Sequence, residues 1–170
     1  MDDIIIRKAT AGDATGIAIV RAYTWATAYH GLMPDSVLAG RIDAVPQNAG
    51  RMKSFIEKGL FEYIVATHNN AVIGFAGYGK SRNPEYPDDG EISALYVLKG
   101  FAGMGTGRKI FEFAARQLKK DGYTNMIINC LCGNPSINFY RHMGGQIVGS
   151  REDEIFGGHK IKEDIIRFNL

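Results

Sequence analysis

The chain has 170 residues, 45% of them hydrophobic and 22% charged, which suits one folded domain and excludes a disordered segment. Twenty Lys and Arg face 18 Asp and Glu, and a net charge of +2 lacks the concentrated basic face that nucleic acid requires. No apolar run approaches the ~18–20 residues that cross a bilayer, and the acidic start Met1-Asp2-Asp3 is unlike a secretory leader, so the expectation is a cytoplasmic protein with no membrane partner.

Residues 4–9 read as a first strand. Thr10-Ala11-Gly12-Asp13 is a helix start, and the helix runs to about residue 29 with Ile17, Val20 and Thr24 at helical spacing. His30-Gly31-Leu32-Met33-Pro34 breaks it, and a further helical region ends at Gly59. Residues 61–67 and 71–78 are β-rich and flank His68-Asn69-Asn70, a hairpin signal. Pro84 and Pro87 make 81–89 a loop, and 91–98 is an apolar strand. The strongest helix is 106–120: Ile110, Phe111, Ala114 and Leu118 form its buried stripe, and Lys119 and Lys120 sit at its negative end. Strand 125–132 follows, then a short helix over 135–143 with Pro135 at its first position. The last strands are 146–151 and 160–168. Strands with inserted helices make the class α/β or α+β, around one mixed sheet.

Two cysteines, Cys130 and Cys132, cannot staple such a fold, and neither has a histidine nearby in sequence to make it a nucleophile. Four scattered histidines offer no zinc-binding spacing, so no metal is expected.

Glycine is the compositional outlier at 21 residues. Its densest cluster, Gly100 to Arg108, follows a strand and opens the strongest helix. A helix N-terminus exposes free N–H groups and partial positive charge, and glycines let a phosphate approach the main chain. Residues 103–108 therefore read as a pyrophosphate cradle, with Arg108 and Lys109 adding cationic charge; the plainer alternative is a tight turn. The dinucleotide pattern G-x-G-x-x-G fails, since its third position falls on Arg108 or Ile110. Gly74 to Ser81 matches the P-loop pattern by letter, but no helix can follow it through Pro84 and Pro87. Small residues within a strand are the better reading of that match.

The motif Glu91-Ile92-Ser93-Ala94-Leu95-Tyr96-Val97, followed by Phe101-Ala102-Gly103-Met104-Gly105-Thr106-Gly107, resembles the GNAT superfamily of acyl-CoA-dependent N-acyltransferases. A second block, Asn134 to Gly145 with Phe139-Tyr140, resembles that family's Asn…Phe-Tyr…Gly motif. The chain departs from the family where Ala102 and Met104 replace polar or basic residues, and where the Asn134–Tyr140 spacing is one residue short of the commonest form.

The resemblance implies a single domain over 1–170, with a mixed, mostly antiparallel sheet of six to seven strands and about four helices. It implies acetyl transfer from acetyl-CoA to a primary amine of a small molecule or peptide by direct attack, and makes a homodimer reasonable. It places the cofactor on Leu95, Tyr96, Val97, Ala102, Gly103, Met104, Gly105, Thr106, Gly107, Arg108 and Asn134. Val97 would offer a backbone N–H to the oxyanion, and Tyr140 would be the general acid. Glu91 matches a position that helps deprotonate the amine; it reads equally as an exposed strand-end glutamate beside Asp88 and Asp89, three acids that could steer a cationic amine. Asn134 reads equally as a helix N-cap. Trp25 and Tyr29, one helical turn apart, are candidates for the acceptor wall, with core packing as the other reading of Trp25. The competing functions are an acyl-CoA-binding sensor with little catalysis and a P-loop hydrolase built on Gly74 to Ser81.

Overall fold

The computed structural model describes residues 4–59, 62–155 and 158–170. The predicted start of the second strand, Phe61, lies outside that set. The strands are β1 (Ile5–Lys8), β2 (Glu62–His68), β3 (Ala71–Lys80), β4 (Gly90–Val97), β5 (Asn125–Leu131), β6 (Gln146–Ile155) and β7 (His159–Asn169). The helices are α1 (Ala14–Ala28), α2 (Asp35–Asp43), α3 (Val45–Glu57), α4 (Thr106–Lys120) and α5 (Ile137–His142). That makes five α-helices among the described residues where about four were expected, because the region before Gly59 is two helices that part at Ala44.

All seven strands share one sheet in the order β1-β2-β3-β4-β5-β7-β6. Every neighbouring pair is antiparallel except β4–β5. The Asn69-Asn70 turn joins β2 to β3 with both residues at positive φ (49° and 62°), a conformation that asparagine tolerates. On one sheet face, α4 buries Ile110, Phe111, Ala114 and Leu118 against Ile64, Ala76, Ile128 and Phe168, as its apolar stripe predicts. On the other, Ile17 and Val20 of α1 pack with Val65 and Phe75. A third cluster gathers Tyr29, Met33, Val37, Leu38 and Leu131 beneath α2.

The Gly74–Ser81 stretch lies in β3 and its exit, not in a phosphate loop. A Cβ at Gly77 would stand 2.9 Å from Ser93 Oγ, so close approach of β4 accounts for the small residue there. Pro135 sits in a turn ahead of α5, outside the helix it was expected to open.

Candidate active site

The site is built on a defect in the sheet. β4 and β5 pair only at Gly90–Met126 and Glu91–Ile127, and beyond those two positions their ladder stops. An irregularity in the β3–β4 register leaves Ser93 without a partner at the same level, and such a bulge bends a strand and re-aims it. The result is a cleft of about 940 Å³ lined by both strands, from Ile92 to Val97 on β4 and from Ile128 to Leu131 on β5. The Leu98 N–H donates to the Ile73 carbonyl at 2.9 Å, on the β3 side. Backbone groups alternate along a strand, so the N–H groups of Leu95 and Val97 point the other way, into the gap.

At one end of the cleft lie Ala102, Gly103, Gly105, Gly107 and Arg108. Gly103 (φ 77°) and Gly105 (φ 76°) are both left-handed, which any Cβ would strain, and Gly105 is the N-cap of α4. The first intrahelical bond of α4 runs from the Lys109 N–H to the Gly105 carbonyl, so the N–H groups ahead of it await an external acceptor. Thr106 Oγ1 is buried there without a hydrogen-bond partner. Met104 is exposed and does not line the cleft. Arg108 does, while its Nε forms an ion pair with Glu112 at 3.2 Å one turn along the helix. Lys99 also faces the cleft, a cation that motif matching overlooked because it precedes the glycine cluster.

Tyr140 is buried between the two strands' divergent ends, and its hydroxyl makes no hydrogen bond to a described residue. Burial pushes its phenol well above the ordinary range, which keeps the proton on it. The same desolvation pushes the neighbouring Cys130 thiol up to about 11. Both cysteines are free. Asn134 lines the cleft and is buried, and its Oδ1 accepts the Ser136 N–H at 2.9 Å while its carbonyl accepts the Ile137 N–H. It therefore organises the turn that leads into α5, but the N-cap of that helix is Ser136 and not Asn134, because the helix begins two residues later than the sequence suggested.

Glu91 is not an exposed strand-end residue: it is 2% accessible. Its carboxylate is held by Arg82, through Nη2 at 2.7 Å, Nε at 3.2 Å and the backbone N–H at 2.9 Å. Asp89 does not steer an amine either. It forms a two-bond pair with Arg167 of β7, at 2.7 and 3.0 Å, and lies outside the cleft lining. Trp25 and Tyr29 do reach the cleft, and they meet edge to face with centroids 5.0 Å apart. The Trp25 indole N–H donates to the Tyr96 hydroxyl at 3.0 Å, and the Tyr29 and Tyr96 hydroxyls lie 3.3 Å apart. Arg41 of α2 stacks on the Trp25 ring at 4.1 Å and lines the same wall. On the β6–β7 side stand Arg151, Asp153 and Glu163. Arg41 and Glu163 sit in segments without any motif, so nothing in the linear sequence brings them to the cleft. Among the described residues no group of three or more His, Cys, Asp and Glu could hold a metal ion, and no helix is long and apolar enough to cross a membrane.

The family model for the acetyltransferase (GNAT) family matches residues 24–144. The chain is 30% identical over 160 residues to the uncharacterized N-acetyltransferase YuaI of Bacillus subtilis (strain 168), covering 94% of this chain and 90% of that protein. Its fold matches the PaiA N-acetyltransferase of Thermoplasma acidophilum in complex with coenzyme A (TM-score 0.73, 16% identity, 99% of each chain). It also matches YncA, a putative acetyltransferase from Salmonella typhimurium with acetyl-CoA (TM-score 0.70, 16% identity, 99% of this chain and 94% of the other). With a family model spanning most of the chain and a relative aligned along nearly all of it, the protein belongs to the GNAT family of acetyltransferases.

Proposed function

We propose that the protein transfers an acetyl group from acetyl-CoA to a primary amine by direct attack within the β4–β5 cleft. The observation that carries this reading is the gap itself: main-chain N–H groups of Leu95 and Val97 facing the unpartnered Tyr140 hydroxyl across an opened sheet. When bound, acetyl-CoA supplies an activated acetyl group and a thiol leaving group. The N-terminal amides of α4, from Thr106 to Arg108, fit its diphosphate, and the left-handed glycines leave the approach clear. The cation of Lys99 fits the same group, compensating for Ala102 and Met104, whereas the buried Thr106 side chain does not line the cleft. Leu95 and Val97 would pair with the extended arm as a neighbouring strand does, and the Val97 N–H would hold the charge that develops on the carbonyl oxygen.

Tyr140 then donates toward the departing sulfur. An ordinary phenol, near ~10, is a poor acid toward a thiolate near ~8.5. Burial raises both partners, Tyr140 well above the ordinary range and the Cys130 thiol beside it up to about 11, so the transfer stays uphill and rests on the hydroxyl being held at the departing sulfur. Glu91 acts on the amine side. Three of its roughly four acceptor positions are taken by Arg82, so its carboxylate holds Arg82 in place and bears on the amine through its charge.

Calorimetry and release of free CoA thiol test the proposal together. Acetyl-CoA should bind and ATP–Mg²⁺ should not, and at least one class in an amine panel should release thiol faster with wild type than with Tyr140→Phe. Binding of ATP alone, or equal and negligible release across the panel despite tight acetyl-CoA binding, would overturn it.

A further inference from the structure

Most charges in the acceptor half of the cleft are already matched. Glu91 is held by Arg82; Asp153 and Glu163 both engage Arg151, the latter at 3.7 Å. Three carboxylates thus share two guanidinium groups, leaving one negative charge in excess on that wall. Glu163 is the least well served of the three: burial and the nearby Asp153 and Glu91 carboxylates push its carboxyl upward, against the pull of Arg151 and Arg82.

Arg41 is the opposite case. No carboxylate or carbonyl among the described residues accepts a hydrogen bond from it, and its Nε is buried without a partner. Its guanidinium carbon lies 4.1 Å from the Trp25 ring centroid; the Arg21 cation repels it, and the Tyr96 and Tyr29 phenols bear on it favourably. Burial and that repulsion both disfavour its charge. A guanidinium held in this way is a rigid fork whose donors are prepared for a planar anion. Ile161 of β7 packs against the cluster beneath α2, and Glu163 is two residues along the same strand, so the lone cation and the excess anion serve one chamber.

We propose that Arg41 anchors a carboxylate of the acceptor, so that the substrate is a small amine that also carries a carboxylate, of amino-acid type, with its ammonium group turned toward the Glu163 wall. This rests on the acetyl-transfer reading and adds to it the class of acceptor. The aromatic wall of Trp25 and Tyr29 would pack the apolar part of such a molecule.

The test pairs free amino acids with amines that lack only the carboxylate: phenylalanine with phenethylamine and leucine with isoamylamine, plus spermidine and a peptide amide. Wild type should favour the carboxylate member, by on the order of 10- to 100-fold in kcat/KM. That ratio should collapse toward one in Arg41→Gln and survive in part in Arg41→Lys, which keeps the charge but not the fork. A binding readout runs beside it. With CoA present, N-acetylphenylalanine should raise the melting temperature of wild type but not of Arg41→Gln. Calorimetric acetyl-CoA affinity, followed in all three proteins, separates the two proposals: its absence in wild type defeats acetyl transfer itself. If acetyl-CoA binds but turnover favours spermidine, the peptide or the decarboxylated amines, the acceptor assignment falls. It also falls if N-acetylphenylalanine gives no shift in wild type, or if Arg41→Lys and Arg41→Gln keep the full preference.

Discussion

The two ends of the cleft are made of different material. The cradle end is main chain: helix N-terminal amides, two left-handed glycines and the alternating N–H groups of β4. The acceptor end is side chains drawn from α1, α2, β6 and β7, stacked and ion-paired across the chain. Backbone amides are the same in every sequence, so the first end can serve a common cosubstrate while residues at Ala102 or Met104 vary. On the proposed reading the second end holds whatever distinguishes one acceptor from another; Tyr140 lines the cleft with both sets of residues.

The sharpest way to separate the ends is to remove the group at their junction. Tyr140→Phe should lower kcat by roughly 10²- to 10³-fold, the range of a lost general acid. It should leave acetyl-CoA affinity within a few-fold, because the proposed cradle is built from backbone amides that the substitution keeps. Stopped-flow thiol release with parallel calorimetry checks both. A fall in affinity as large as the fall in rate would mean that Tyr140 shapes the cradle and that the division is wrong.

The cradle can be attacked alone. Gly105 is the left-handed N-cap of α4, and a β-branched side chain there carries a backbone penalty of about 1–3 kcal/mol. Gly105→Val should therefore weaken acetyl-CoA about tenfold or more, visible as a raised Kd, while the KM of a tight acceptor moves little. Nothing stands within 4 Å of the Cβ that would be added, so the effect tests conformation and not a clash within the protein. An unchanged Kd would show that the cosubstrate does not depend on this turn.

The same division explains what could be read from the linear sequence. The strand–turn–helix unit on which the proposed cradle rests was legible because its signals are local: Gly103 to Gly107, then the apolar stripe of α4. Tyr140 was legible as part of a contiguous block. Glu91 was legible as a candidate, but its burial was not, since its partner Arg82 comes from a loop read only as proline-rich. Two helices were merged before Gly59 although Pro46, in the first turn of α3, marks the restart after Ala44. Arg41 and Glu163 were invisible for a different reason. They are 122 positions apart, and only the return of β7 alongside β5 brings both to one chamber. Side-chain chemistry assembled over such separations leaves no local pattern.

A control outside both ends gives the smallest effect. Arg7 and the backbone of Thr10 hold the Asp13 carboxyl down at about 2, from an ordinary 3.8. Arg7 bonds it through both terminal nitrogens, at 2.7 and 2.8 Å, and Thr10 adds its N–H at 2.7 Å, which ties β1 to the start of α1. A carboxyl lowered by folding stabilises the native state above its unfolded value and loses that contribution as pH falls toward the folded one. Stability should therefore be flat above about pH 5 and decline between about 4 and 2, by at most about 2 kcal/mol from this residue, since Arg7 is partly exposed. In Asp13→Asn the decline should shrink by that amount, while kcat and the preference between paired acceptors stay at wild-type values. Urea unfolding across the acid range measures the first part, and the thiol assay at neutral pH measures the second. If instead Asp13→Asn altered acceptor preference, α1 would be carrying strain from the sheet edge to Trp25. The acceptor wall would then depend on the whole helix and not on the side chains that face the cleft.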